Sequence, residues 1–241
     1  MKREYLIGGA MMLALNPAVS FADEPKKDGL YNESGAGIVV TGGNTETQTI
    51  SLSQKSDLVD GVNAYKFFAN FLRASNRGVE QAKTWGIGAR YERGLSDNYS
   101  LYLGQLVESN IYQNILQRYA TDFGMKHVWR NLEKLKWFSE LGYRFTRENI
   151  PSGHRNLNFA RVYNEVEYLF SKTVSTKWWF EVLPNITDMD GYQYNTELSL
   201  SATLSDVFSV KSGYLIRYYN TPPVPAKTTD TIFTTALVAK F

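Results

Sequence analysis

The sequence has no cysteine and only two histidines, His127 and His154, in 241 residues. Disulfides, thiolate metal sites and a cysteine nucleophile are therefore excluded. Two imidazoles also argue against a zinc enzyme, whose metal needs three or four protein ligands. No metal or other cofactor is expected. Neither charge is in surplus, since 26 Lys and Arg face 24 Asp and Glu. A formal charge of +2 lacks the basic field of a nucleic-acid-binding domain, and no nucleic-acid partner is expected. Long apolar runs are scarce as well. The best stretch beyond the first residues, Tyr65 to Leu72, is interrupted by Lys66 and Asn70, so no helix there can span a bilayer.

One short apolar run does occur, at the start. Met1-Lys2-Arg3 is basic, Leu6 to Leu15 is apolar, Asn16-Pro17 breaks the run, and Ser20-Phe21-Ala22 supplies small residues at −3 and −1. This is the pattern of a secretory signal peptide over residues 1–22, cut after Ala22. Residues 23–33 are polar and read as a periplasmic lead-in. Residues 34–241 remain for the fold.

Period-two alternation dominates that remainder, the mark of strands with two unlike faces. Tyr192, Tyr194, Thr196, Leu198, Leu200, Ala202 and Leu204 alternate with polar residues, and so do Phe208, Val210, Ser212, Tyr214, Ile216 and Tyr218. Twelve such segments follow one another: 34–42, 45–58, 62–74, 82–94, 98–112, 118–130, 134–148, 157–170, 175–187, 191–204, 207–219 and 229–241. Short turns such as Asp60-Gly61 and Ser205-Asp206 alternate with longer polar connections at 75–81, 113–117, 149–156, 188–190 and 220–228. The expected fold is all-β: a transmembrane antiparallel up-and-down barrel of about twelve strands. A β-sandwich would have strands nearer 5–6 residues, and a soluble lipocalin-like barrel would need only about eight strands with its apolar face inward.

Aromatic rings gather at both ends of the apolar face. Trp129, Trp137, Tyr168, Trp178 and Phe208 mark the short-turn side; Tyr143, Phe145, Tyr192, Tyr194 and Tyr218 mark the other. Two belts suit the two lipid–water interfaces. The surrounding partners are then outer-membrane lipid and lipopolysaccharide. Phe241 ends an amphipathic last segment with Phe233 and Leu237 on its face. A terminal aromatic there resembles the assembly signal read by the bacterial outer-membrane insertion machinery, making the barrel-assembly machinery a partner during biogenesis. These features place the chain in the outer membrane of a Gram-negative bacterium.

The first hairpin, Gly37-Ile38-Val39-Val40-Thr41-Gly42-Gly43-Asn44-Thr45-Glu46-Thr47, resembles the T-x-G-N-T opening of the salt-induced outer-membrane protein family, bacterial outer-membrane β-barrels of unknown function. The resemblance covers residues 34–241 and implies the barrel, with a role in envelope or osmotic adaptation; it brings no catalytic residues. Physically, Gly42-Gly43-Asn44 is a tight turn needing positive φ. No Walker Lys-Ser/Thr follows, which excludes a phosphate loop.

Alternation points one set of charges inward. The candidate pore-lining residues are Lys66, Arg90, Glu108, Asp122, Lys126, Glu140, Arg144, Arg161, Glu165, Glu181, Glu197, Lys211 and Arg217, and the same parity adds Glu92, Arg130, Lys136, Glu148, Glu167 and Lys177. Ten cations and nine anions nearly balance. A selective channel would be lined mostly by one sign, so the expectation is a narrow, weakly selective pore for small solutes. A surface hydrolase stays open as the alternative, built on Ser152 and His154 in one outer connection and Asp188 with Asp190 in the next. Asp188-Met189-Asp190-Gly191 also has the composition of a plain turn.

Cell fractionation should recover the protein in the outer membrane with its N-terminus at Asp23, and deletion of Phe241 should lower the assembled fraction. Folded protein in the soluble periplasm would sink the barrel assignment.

Overall fold

The computed structural model describes residues 28–41 and 47–240. They form twelve strands: β1 (Gly29–Thr41), β2 (Thr47–Asp60), β3 (Asn63–Asn76), β4 (Val79–Gly94), β5 (Tyr99–Asn110), β6 (Ile115–Asn131), β7 (Leu135–Ile150), β8 (Gly153–Leu169), β9 (Val174–Leu183), β10 (Gln193–Thr203), β11 (Phe208–Tyr219) and β12 (Thr229–Lys240). Each strand pairs antiparallel with the next, and β1 pairs with β12 to close the sheet. The chain is a transmembrane up-and-down barrel whose closing seam is short, from Glu33 opposite Lys240 to Ala36 opposite Leu237. The strands are 10 to 17 residues long, enough to cross a bilayer at the usual tilt.

Several boundaries differ from the pattern in the sequence, for local reasons. β1 starts at Gly29, inside the expected lead-in, because Leu30 extends the outward apolar row opposite Leu58 of β2. Two of the expected long connections are two-residue turns. Arg77 and Gly78 both take positive φ, 49° and 76°, the conformation of the tightest hairpin turn, so β3 and β4 run on to meet at it. Pro151 and Ser152 turn β7 into β8, with Ile150 opposite Gly153; proline pre-sets the φ this turn needs. The connections after β5, β9 and β11 are longer, the first two carrying single 3-10 turns at Ile111–Gln113 and Met189–Gly191. The Gly42-Gly43-Asn44 turn and Phe241 lie outside the described residues.

The two faces separate as alternation requires. Leu198 and Leu200 on β10 are 58% and 50% exposed, whereas Glu197 and Ser199, which alternate with them, are buried. Outward rings form both belts. On the short-turn side Trp129 stacks on Trp137 at 5.5 Å, and His127 sits between Tyr99 and Trp129. On the other side Tyr218 stacks on Tyr192 and Tyr194. The belt indoles also have hydrogen-bond partners on the same face: Trp129 donates to Ser139, Trp137 to Asn164 and Trp178 to Thr196. A polar N–H facing lipid needs such a partner.

One bulge overturns a facing. The β6–β7 register shifts between Val128 and Arg130, so Trp129 is the extra residue and Arg130 stands opposite the outward Trp137. Arg130 is exposed rather than inward, because one inserted residue reverses parity for the rest of the strand.

Leu198 lies midway along β10 on the lipid face. Leu198→Arg should destabilise the folded barrel by about 2–4 kcal/mol, measured by urea unfolding in lipid vesicles. Arg217→Leu, on the inward face, should change stability much less.

Candidate functional site

Inward side chains from strands far apart in the sheet touch one another, which is possible only across the lumen. Arg90 of β4 donates to both carboxylate oxygens of Glu140 of β7, at 2.6 and 3.1 Å, although β5 and β6 lie between them. Arg161 of β8 reaches the same Glu140 at 2.5 Å and Glu181 of β9 at 2.6 Å. Arg144 of β7 bridges Asp122 of β6, at 2.6 and 2.7 Å, to Glu181 at 3.0 Å. Glu92 receives Arg90 at 2.7 Å, Lys66 at 3.2 Å and Lys126 at 3.9 Å. Asn195 of β10 adds a hydrogen bond to Glu181. The network thus runs from β3 to β10.

Tyr102 of β5 lies within it. Its ring sits 3.9 Å from the Arg90 guanidinium, and its hydroxyl accepts from Arg161 at 3.1 Å. Space for that hydroxyl comes from Gly124 and Gly142, which face each other across β6 and β7. A Cβ at Gly124 would stand 2.7 Å from the Tyr102 oxygen. Here glycine is required by a close approach, not by backbone freedom.

Smaller ion-paired groups flank the network. On the outer side Arg118 holds Glu108 at 2.6 Å and Glu148 at 2.7 Å, and Arg155 also holds Glu148 at 2.7 Å. Elsewhere Lys177 pairs with Glu165 at 3.0 Å, Tyr163 donates to Glu165 at 2.6 Å, and Lys211 pairs with Glu197 at 3.5 Å. An apolar cluster fills the lumen beside these groups. Phe138, Tyr163, Trp179 and Leu215 are buried together with Val128 and Ile232 packed on them, a set drawn from β6 through β12. A cavity of about 120 Å³ lies in the outer half.

Of the thirteen inward charges named from the sequence, all sit on the inward face, and twelve belong to these ion pairs. Arg217 is the exception and makes none among the described residues. Sequence reasoning left out Arg118, Arg155 and Tyr102. Arg118 and Tyr102 share parity with Asp122 and Glu108 and were findable by it; Arg155 was hidden by treating 149–156 as a loop.

Among the described residues no hydrogen bond or ion pair joins Ser152 or His154 to Asp188 or Asp190. His154 lies in β8 opposite Asn149, because the connection before it is only a two-residue turn. Asp188 accepts the Asp190 N–H and caps the 3-10 turn that follows. Asn220 ties that turn to the β11–β12 connection through the Asp190 carbonyl. Among the described residues no group of three or more His, Asp or Glu is arranged to hold a metal ion.

The geometry defines a membrane barrel with an ion-paired interior. The sequence matches the family described as "Protein of unknown function, DUF481" over residues 34–241, and the chain belongs to that family. No curated protein matches it. Among solved structures, the NanC porin superposes with a TM-score of 0.50 at 11% identity, covering 87% of this chain and 97% of that one. The translocator domain of the autotransporter NalP from Neisseria meningitidis gives 0.47 at 9% identity, with 90% of each chain covered. The KdgM porin gives 0.44 at 11%, covering 88% and 96%. At such identities the likeness to NanC speaks for the fold alone.

Glu140 is 2% exposed and serves two guanidinium groups. Glu140→Gln should cost about 3–5 kcal/mol, since it leaves buried cations short of an anion. The exposed Arg73–Glu80 pair should contribute less than about 1 kcal/mol. Equilibrium unfolding of Glu140→Gln and Glu80→Gln checks the contrast.

Proposed function

We propose that the protein is a narrow, weakly selective pore for small solutes in the Gram-negative outer membrane, serving envelope or osmotic adaptation. The observation that carries this reading is the network Arg90–Glu140–Arg161–Glu181–Arg144–Asp122, which crosses the lumen and leaves little free space beside it. Paired charges of both signs present no net field along most of the path, so neither cations nor anions are strongly favoured. The apolar outer face and its two belts support insertion among outer-membrane lipid and lipopolysaccharide. Phe241 is the proposed signal to the assembly machinery. The family resemblance supports the adaptive role.

Planar-bilayer recording of the purified barrel tests the reading. The expected result is a small conductance with little preference between cation and anion. Glu140→Gln combined with Arg144→Gln removes one charge of each sign from the network and should raise the conductance. A conductance like that of a wide open porin, or strong selectivity in the wild type, would overturn the proposal.

A further inference from the structure

Arg217 stands apart from every other arginine in the lumen. Arg90, Arg118, Arg144, Arg155 and Arg161 each hold at least one carboxylate within 3 Å. Arg217 faces the outer cavity and makes no hydrogen bond or ion pair to any described residue. Two acidic groups lie near it, and both are engaged elsewhere. Glu108 feels the Arg217 charge through space, but its carboxylate is held by Arg118. Asp230, opposite Arg217 on β12, accepts from the Gln113 side chain, which reaches it across the outer mouth.

Side chains able to donate also stand next to Arg217, although Asn195 already gives one hydrogen bond to Glu181. Tyr219 follows on the same face of β11, and the register places Gln193 beside Tyr219 and Asn195 beside Arg217. All four line the cavity. The Tyr219 hydroxyl is buried beside Gln193 and makes no hydrogen bond of ordinary geometry. A buried hydroxyl without a partner is costly unless something occupies the space before it. A guanidinium without an anion in a confined lumen has the same need.

We propose that Arg217 and Tyr219, flanked by Gln193 and Asn195, form a binding site for a small carboxylate in the outer half of the lumen. A guanidinium matches a carboxylate with two parallel hydrogen bonds, and the hydroxyl supplies a third donor. A cavity of about 120 Å³ admits an anion of acetate size. The site needs the barrel but not conduction, so it stands or falls separately from the pore.

The test uses the full mature barrel in detergent, titrated with sodium acetate at constant ionic strength against sodium chloride, whose spherical anion cannot take two parallel hydrogen bonds. Calorimetric heats and the thermal midpoint should saturate with acetate and not with chloride. Arg217→Gln should weaken acetate binding about tenfold or more. Tyr219→Phe, nearly isosteric and expected to fold in any case, should weaken it by a smaller factor. Equal responses to acetate and chloride, or acetate affinity unchanged in the variants, would overturn the site. A barrel that conducts nothing yet binds acetate through Arg217 would refute the pore and keep the site.

Discussion

Pairing of guanidinium with carboxylate across the lumen is the interaction on which the interior depends. Twelve strands enclose more space than a single layer of side chains fills, so the inward residues must either leave a channel or meet in the middle. Here they meet. Glu140 is the junction, since Arg90 approaches it from β4 and Arg161 from β8. Tyr102 fixes both guanidinium groups, and Gly124 with Gly142 leaves it the room. Buried pairs of this kind add little net stability, because desolvation offsets much of their attraction. Their effect is positional: Arg90 reaches past two strands to Glu140 and Arg144 past one to Glu181, which favours a single arrangement of the lumen.

The same alternation that builds the network builds the lipid-facing surface. Each inward Glu or Arg is followed by an outward residue, so Glu197 and Ser199 alternate with Leu198 and Leu200. The belts mark where that apolar band ends. The indole N–H groups of Trp129, Trp137 and Trp178 are satisfied by Ser139, Asn164 and Thr196, polar residues on an otherwise apolar face. Those three polar positions supply the rings' partners on that face.

Parity was legible in the sequence, and distance was not. Alternation assigns Arg90, Glu140, Arg161 and Glu181 to one face, but nothing local says that β4 will reach β7. That contact depends on closure and on side-chain length. The bulge at Trp129 was equally hidden, because Trp129-Arg130 fits an alternating strand as written. Turn chemistry at Arg77-Gly78 and Pro151-Ser152 was readable in principle, since glycine and proline mark both, yet polar flanks made these segments resemble loops. Trp179 and Leu215 had the parity of the inward face all along. Their role as an apolar filler is evident only once Phe138 and Tyr163 are seen stacked beside them.

A lumen with nearly every charge paired has a consequence for solutes. In the pore we propose, an ion that enters meets local dipoles whose fields largely cancel within a few ångströms, so the pairs shape the path more than they choose between signs. Groups outside the pairs then carry the local field. Two of them stand opposite each other near the outer end of β11: Arg217, and Asp230 of β12, whose carboxylate accepts from Gln113 and makes no ion pair among the described residues. On that reading width belongs to the cross-lumen pairs and preference to the few groups they leave out, so each can be changed without the other.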